Sequence, residues 1–228
     1  MNRVDVAWKI GSPVMGGPTA LATRLRIYGK DRVPRTGGLV IAYNHLSWID
    51  IPAFGWSSPR PVYFLAKAEA HAIPLVGAYL RLFGSFGVRR GESDREAVRR
   101  MRDVVRAGHA LGIFAEGTRQ RSGTLGPVQP GAAMTALQED VPVVCAAIYG
   151  SYEWRFGNFK PVSIAYGEPM RFTDLPRNAK GYREASAEIE AELRRLWEWL
   201  RDLHAAGRPR HAVPPRAPEH LRAPVTLP

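Results

Sequence analysis

The sequence predicts an α/β fold in a single domain, and three observations carry that expectation. Five short apolar runs, rich in branched and aromatic residues, recur between turn signals. Their apolar character is nearly continuous, as in strands covered on both faces. Helical patterns alternate with them, which favours an α/β arrangement over segregated strands and helices. At 228 residues the chain can bury a substantial core, and its 45% hydrophobic and 23% charged residues are ordinary globular usage.

In chain order, residues 1–27 read as an N-terminal helical segment that associates with a membrane. VDVAWKI (4–10) and TALATRLRIYG (19–29) are its two helical pieces, separated by glycines and prolines. Val4, Val6, Trp8, Ile10, Leu21 and Leu25 would enter a bilayer interface, with Lys9, Arg24 and Arg26 at the polar edge. Capping the core is an equal alternative for these pieces. Residues 28–205 form the main domain. Its expected strands are GLVIAY (38–43), PVYFLA (61–66), ALGIFA (110–115), PVVCAAI (142–148) and VSIAYG (162–167). Ser93 and Glu96 form a capping box that opens a helix, and Ala97, Val98, Met101, Val104 and Val105 make its buried stripe. Gly108 ends that helix. Arg95, Arg99, Arg100, Arg102 and Arg106 occupy its other, solvated face. The clearest helix covers 182–204, where Ala185, Ile189, Leu193, Leu196, Leu200 and Leu203 recur at threes and fours, widened by Trp197 and Trp199. Residues 206–228 are too rich in proline for a core element and read as a disordered or loosely attached tail.

The net charge of +11 sets the candidate partners. Of 32 basic residues only five are lysines, and arginine suits bidentate phosphate recognition. Nucleic acid, an anionic membrane surface and phosphorylated substrates all fit that charge. No nucleic-acid signature accompanies it, so a non-catalytic basic binding protein is the weaker reading. The single cysteine, Cys145, lies in the apolar run VPVVCAAIYG and reads as a buried, inert thiol. No spacing of cysteine and histidine suggests a metal site. No apolar run is long enough to span a bilayer, and the N-terminus lacks the order of a signal peptide.

The stretch IAYNHLSWIDIP (41–52) raises the sharpest question, because an imidazole and a carboxylate follow the end of a strand. Ser47 and Asp50 fit a helix start, in which Asp50 only satisfies backbone amides. His45 and Asp50 also fit a base and its orienting carboxylate. Three further stretches bear on the choice: FLAKAEAHAIPLVGAYLRLFGSFGVRRG (64–91), IFAEGTRQRSG (113–123) and VPVVCAAIYG (141–150).

In their order and spacing, the four stretches resemble the glycerolipid acyltransferase family, specifically the bacterial 1-acylglycerol-3-phosphate acyltransferases. The resemblance covers roughly residues 25 to 170. It implies a mixed, largely parallel sheet flanked by helices. It implies His45 as catalytic base and Asp50 as its partner. Lys67, Arg90, Glu116, Gly117, Thr118 and Arg119 then match substrate-binding positions, with Glu116 bonding the acceptor's glycerol or locking Arg119. The implied reaction moves a fatty acyl chain to the sn-2 hydroxyl of 1-acylglycerol-3-phosphate, giving phosphatidic acid. Acyl-CoA or acyl-carrier protein would serve as co-substrate, with no other cofactor and no metal. The protein would sit peripherally or monotopically on the cytoplasmic face of an anionic membrane. Two departures bear on the acceptor: Gln120 stands where the family usually has serine, and Gln129 where it usually has lysine before Pro-Gly. They keep open another lysolipid or a glycolipid as acceptor.

Overall fold

The computed structural model describes residues 3–67, 84–88 and 94–222, together with 72, 74, 77 and 78. Its strands are β1 (Arg26–Tyr28), β2 (Leu39–Tyr43), β3 (Val62–Lys67), β4 (Phe86–Val88), β5 (Ala110–Phe114), β6 (Val143–Tyr149) and β7 (Ser163–Tyr166). They form one seven-stranded sheet in the order β1-β7-β6-β2-β5-β3-β4. Every neighbouring pair is parallel except β6 and β7. The C-terminal ends of β2 to β6 therefore share one edge of the sheet, and β7 and β1 start from that same edge. All five expected strands are present with ends shifted by a residue or so. β1 and β4 are three residues each, too short to register as apolar runs.

The sheet is buried on both faces because its residues alternate between two cores. Leu39, Ile41 and Tyr43 of β2 and Val144, Ala146 and Ile148 of β6 face one core, which α1 (Arg3–Gly11) and α3 (Asp50–Ser57) cover with Trp8, Ala53 and Phe54. Val40, Ala42, Val143, Cys145 and Ala147 face the other. That side is covered by α4 (Asp94–Arg106), α5 (Gly131–Glu139) and α6 (Ala179–Ala205). Met101 and Val105 of α4 are buried there, with Val98 and Val104 partly so, as the expected stripe requires. Ser93 lies outside the described residues. Gly38 is needed where β2 begins, since a Cβ would sit 2.3 Å from the Val105 carbonyl oxygen. The arginine face of α4 is not wholly solvated: Arg102 and Arg106 both pair with Glu139 and tie α4 to α5. Burial pushes the Glu139 carboxyl up, but the two guanidinium hydrogen bonds more than offset it and leave it below the usual range.

Two terminal segments differ from expectation. The first helical piece forms as α1, continues through a π-helical turn (Ser12–Gly16) into α2 (Gly17–Ala22), and stops there. Arg24 then adopts a left-handed φ of 46°, and Arg26–Tyr28 pairs with β7. The expected helix over 19–29 is thus corrected beyond Ala22, where Leu25 and Ile27 alternate with arginines at the period of a strand. Trp8 is buried, and Val4 and Leu25 pack against the core, whereas Val6, Ile10, Val14 and Leu21 are exposed.

The tail expected at 206–228 is corrected over its described part, 206–222, which straps the sheet. Arg208, Ala217 and Leu221 are buried. Arg32 donates to the carbonyls of Pro214 and Pro215 at 2.6 and 2.9 Å, and Ala217 N donates to Glu168 at 3.0 Å. Proline lacks a donor but keeps its carbonyl, so an extended proline-rich segment can still be anchored by side-chain donors. Among the described residues, no helix is long and apolar enough to cross a membrane.

Candidate active site

The site is built where β2 ends. Asn44, fully buried, substitutes for a further strand residue: its Nδ2 donates to the Ile148 carbonyl at 3.1 Å, and its Oδ1 accepts from Ile148 N at 2.7 Å. The next residue, His45, thereby leaves the sheet at the edge shared by the parallel strands. Its Nδ1 lies 2.9 Å from Asp50 Oδ2. The same oxygen accepts from the amides of Leu46 and Ser47, both at 2.7 Å. Asp50 is fully buried and opens α3, whose N-cap is Ile49 with no side-chain cap bond. The helix start expected at Ser47 is thus corrected to Asp50, although one Asp50 oxygen does take backbone amides while it meets His45. Its other oxygen, Oδ1, is buried with no hydrogen-bond partner among the described residues. The His45 ring stacks on Phe114 with centroids 4.0 Å apart and planes 22° apart. A carboxylate at Nδ1 fixes the tautomer with the proton there, leaving the Nε2 lone pair for chemistry.

The turn after β5 clasps the main chain of His45 from both sides. Ala115 N donates to the Tyr43 carbonyl at 2.8 Å, which extends the β2–β5 pairing. Glu116 Oε2 accepts from His45 N at 2.8 Å and Oε1 from Gly126 N at 2.9 Å. Gln120 N donates to the His45 carbonyl at 2.8 Å. Gly117 closes this turn at φ 72°, a conformation that favours glycine. The expectation that Glu116 bonds the glycerol or locks Arg119 is corrected: the side chain is buried and both oxygens are held by backbone amides. Burial raises its carboxyl to about 7; the Gly126 and His45 amides work against that rise, and Asp50 adds to it.

The other expected residues fall in different places. Gly117, Thr118 and Arg119 are exposed on the same edge as His45. Arg119 forms no ion pair among the described residues. Lys67 ends β3, opposite Val88 of β4, and so its backbone reaches that edge too. Arg90 lies outside the described residues. Gln129 N donates to the Ala115 carbonyl at 2.7 Å, and the Gln129 Cγ packs behind Gly117. Cys145 is buried on the face opposite α3, and burial pushes its thiol well above the usual range. Sequence reasoning missed Asn44, Phe114 and the backbone role of Gln120. A lone asparagine closing an apolar run was a usable signal for Asn44; main-chain contacts leave no such mark.

The arrangement offers one lone pair on an oriented imidazole, backed by a buried carboxylate, with the exposed Arg119 guanidinium on the same edge. That set can remove a proton from a bound hydroxyl while a neighbouring cation holds an anionic substrate.

The Acyltransferase family model matches residues 24–149. The 1-acyl-sn-glycerol-3-phosphate acyltransferase of Bacillus subtilis is 27% identical over 156 residues, 66% of this chain and 76% of that protein. The lyso-ornithine lipid O-acyltransferase of Pseudomonas aeruginosa is 35% identical over 130 residues, 57% of this chain and 48% of that protein. The chain thus spans about three quarters of the first relative and about half of the second. Among solved structures, the 1-acyl-sn-glycerophosphate (LPA) acyltransferase PlsC of Thermotoga maritima superposes with a TM-score of 0.72 at 24% identity. That match covers 87% of this chain and 81% of the other, and it shows the same fold.

Proposed function

This chain belongs to the acyltransferase family, and from that premise we propose that it acylates the sn-2 hydroxyl of 1-acylglycerol-3-phosphate. The acyl donor is a thioester of coenzyme A or of an acyl-carrier protein, and the products are phosphatidic acid and a free thiol. The observation that supports this most is the 2.9 Å contact from His45 Nδ1 to Asp50 at the sheet edge. His45 Nε2 takes the hydroxyl proton as the oxygen attacks the thioester carbonyl carbon. The tetrahedral intermediate then breaks its carbon–sulfur bond, and the imidazolium returns the proton to the departing thiolate. Asp50 stabilises the imidazolium between these steps. The nucleophile is the acceptor's own hydroxyl, so the buried Cys145 has no part to play. Arg119 holds the acceptor's phosphate, helped by Lys67 and Arg90.

The acceptor is an amphiphile, and the protein meets it as a peripheral or monotopic protein on the cytoplasmic face of a membrane. Support comes from exposed apolar residues around the site: Ile10, Val14 and Leu21 in the N-terminal helices, Trp48 and Ile51 beside His45, and Phe156 and Phe159 after β6. Trp48 packs edge-on against Trp154, with centroids 5.9 Å apart, which joins two of these groups.

The test is thiol release by the purified protein with lysophosphatidic acid micelles and either oleoyl-CoA or an oleoyl-carrier protein. Release should depend on the acceptor and fall to background in His45→Ala, with the fold retained. Turnover by His45→Ala at the wild-type rate would rule the mechanism out. One observation favours a second acceptor, a lyso-ornithine lipid. Gln129 replaces a cationic residue behind the Gly117–Arg119 turn, and the Pseudomonas relative named for that acceptor is 35% identical over the shared region. Supplying both acceptors in competition decides between them.

A further inference from the structure

At the margin of the sheet, away from His45, the structure has a groove of about 540 Å³. It is lined by four arginines, Arg24, Arg26, Arg208 and Arg210, and by the leucines Leu21 and Leu25 among its apolar residues. Among the described residues, none of these arginines forms an ion pair with a carboxylate. Arg208 is the unusual member, because only 7% of it is exposed. Its Nε donates to Ser163 Oγ at 3.0 Å, and its Nη2 donates to the carbonyls of Arg24 at 2.6 Å and Val162 at 3.0 Å. Every one of these acceptors is neutral.

A guanidinium buried without a counter-charge, with other guanidinium groups beside it, is an unfavourable arrangement unless something compensates it. Nearby groups register the excess charge. Burial, followed by Arg208 and Arg26, lowers His204 to about 4. Burial, followed by Arg26, lowers Arg208 itself to about 10. Tyr28 lines the same groove and is also buried, and its hydroxyl has no hydrogen-bond partner among the described residues. A donor without an acceptor thus lies beside cations without an anion.

The groove is separate from the catalytic site. β1 stands three places from β2 in the sheet order, which at strand spacing is about 14 Å. That is farther than a glycerol backbone reaches between its sn-2 hydroxyl and its phosphate. Yet Arg24, just before β1, lies at the same edge of the sheet as His45. Trp154 joins the two regions, donating to the Ala22 carbonyl at 3.2 Å and packing on Trp48. The exposed Leu21 continues the apolar lining onto the N-terminal helices.

We propose that this groove is a second site, which binds the phosphate oxyanion of an anionic phospholipid among Arg24, Arg26, Arg208 and Arg210 while an acyl chain lies along Leu21 and Leu25. Forked guanidinium donors suit phosphate oxygens, and the leucines select an amphiphile over a free anion. The site goes beyond acyl transfer and does not depend on it.

The test is calorimetric titration of the full chain at low salt with dihexanoyl phosphatidylglycerol below its micelle concentration, and separately with inorganic phosphate. Arg26→Gln/Arg210→Gln leaves Arg208 and its anchoring bonds in place and should weaken lipid binding at least tenfold. Arg119→Gln, on the catalytic edge, should leave lipid binding unchanged. Absence of binding, equal binding by the double variant, or an equal loss in Arg119→Gln would each overturn the proposal. Inorganic phosphate binding as tightly as the lipid would also overturn it, leaving a free-phosphate site. Melting temperatures of both variants check that the fold is retained.

Discussion

Asp50 Oδ2 receives a hydrogen bond from an imidazole and two from backbone amides. Asparagine can still accept from those amides but cannot stabilise a cationic imidazole. Asp50→Asn should therefore keep a near-native melting temperature while kcat falls by a factor approaching the ~10⁴ seen in serine-hydrolase triads. Wild-type turnover would reduce Asp50 to a helix-start residue. Glu116 gives the second prediction at this scale. Its carboxyl is raised to about 7, against an ordinary value of 4.5 in the unfolded chain. Between those values the folded state holds more protons, so this residue's contribution to stability is present below the lower value and is lost as pH rises through the upper. Glu116→Gln removes that titration. The variant's stability relative to wild type should improve by on the order of 2–3 kcal/mol between pH 4.5 and 7 and then level off, as measured by urea unfolding. A flat difference would show that Glu116 is not raised. The contact of His45 with Asp50 was legible only as one of two readings of the stretch after the apolar run. The resemblance of four stretches to the acyltransferases, not the spacing, decided between them. The inward turn of Glu116 was not legible, because a carboxylate bonded to two amides leaves the same letter as one facing substrate.

Among the elements, the N-terminal helices divide their apolar residues between two environments. Trp8 goes to the core, while Ile10 and Leu21 are 64% and 81% exposed. Deleting the segment would therefore confuse loss of packing with loss of membrane contact. Ile10→Asp/Leu21→Asp should instead keep the melting temperature and lower partitioning to anionic vesicles at least tenfold, since burial of each such side chain contributes about 1.5–3 kcal/mol. Wild-type binding should weaken with salt and not vanish. Equal co-sedimentation of the variant would place the contact elsewhere. The five longer strands were legible because both of their faces are apolar. β1 was not, since RLRIY alternates over too few residues to outweigh the helical turns before it.

For the molecule as a whole, the sheet edge at β1 and β7 is held from the far end of the chain. Arg208 bonds to Arg24, Val162 and Ser163, and the strap over 206–222 buries Ala217 and Leu221. Ending the chain at Ala206 should cost about 3 kcal/mol or more, some 6–12 °C in melting temperature for a domain of this size. An unchanged transition would restore the reading of a loose tail. Proline content concealed this strap, because what anchors it is arginine donors far away in sequence. One feature of the site also bears on how such proteins diversify. The clasp on His45 is made by Glu116 and by main-chain groups. Beyond the glycine that its turn needs at 117, it therefore does not depend on which side chains occupy positions 118–120 or 129. Under the proposed function, those positions can be exchanged to suit another headgroup while the His45–Asp50 pair is kept. On that proposal, substrate range and chemical competence are separate heritable traits in one short loop.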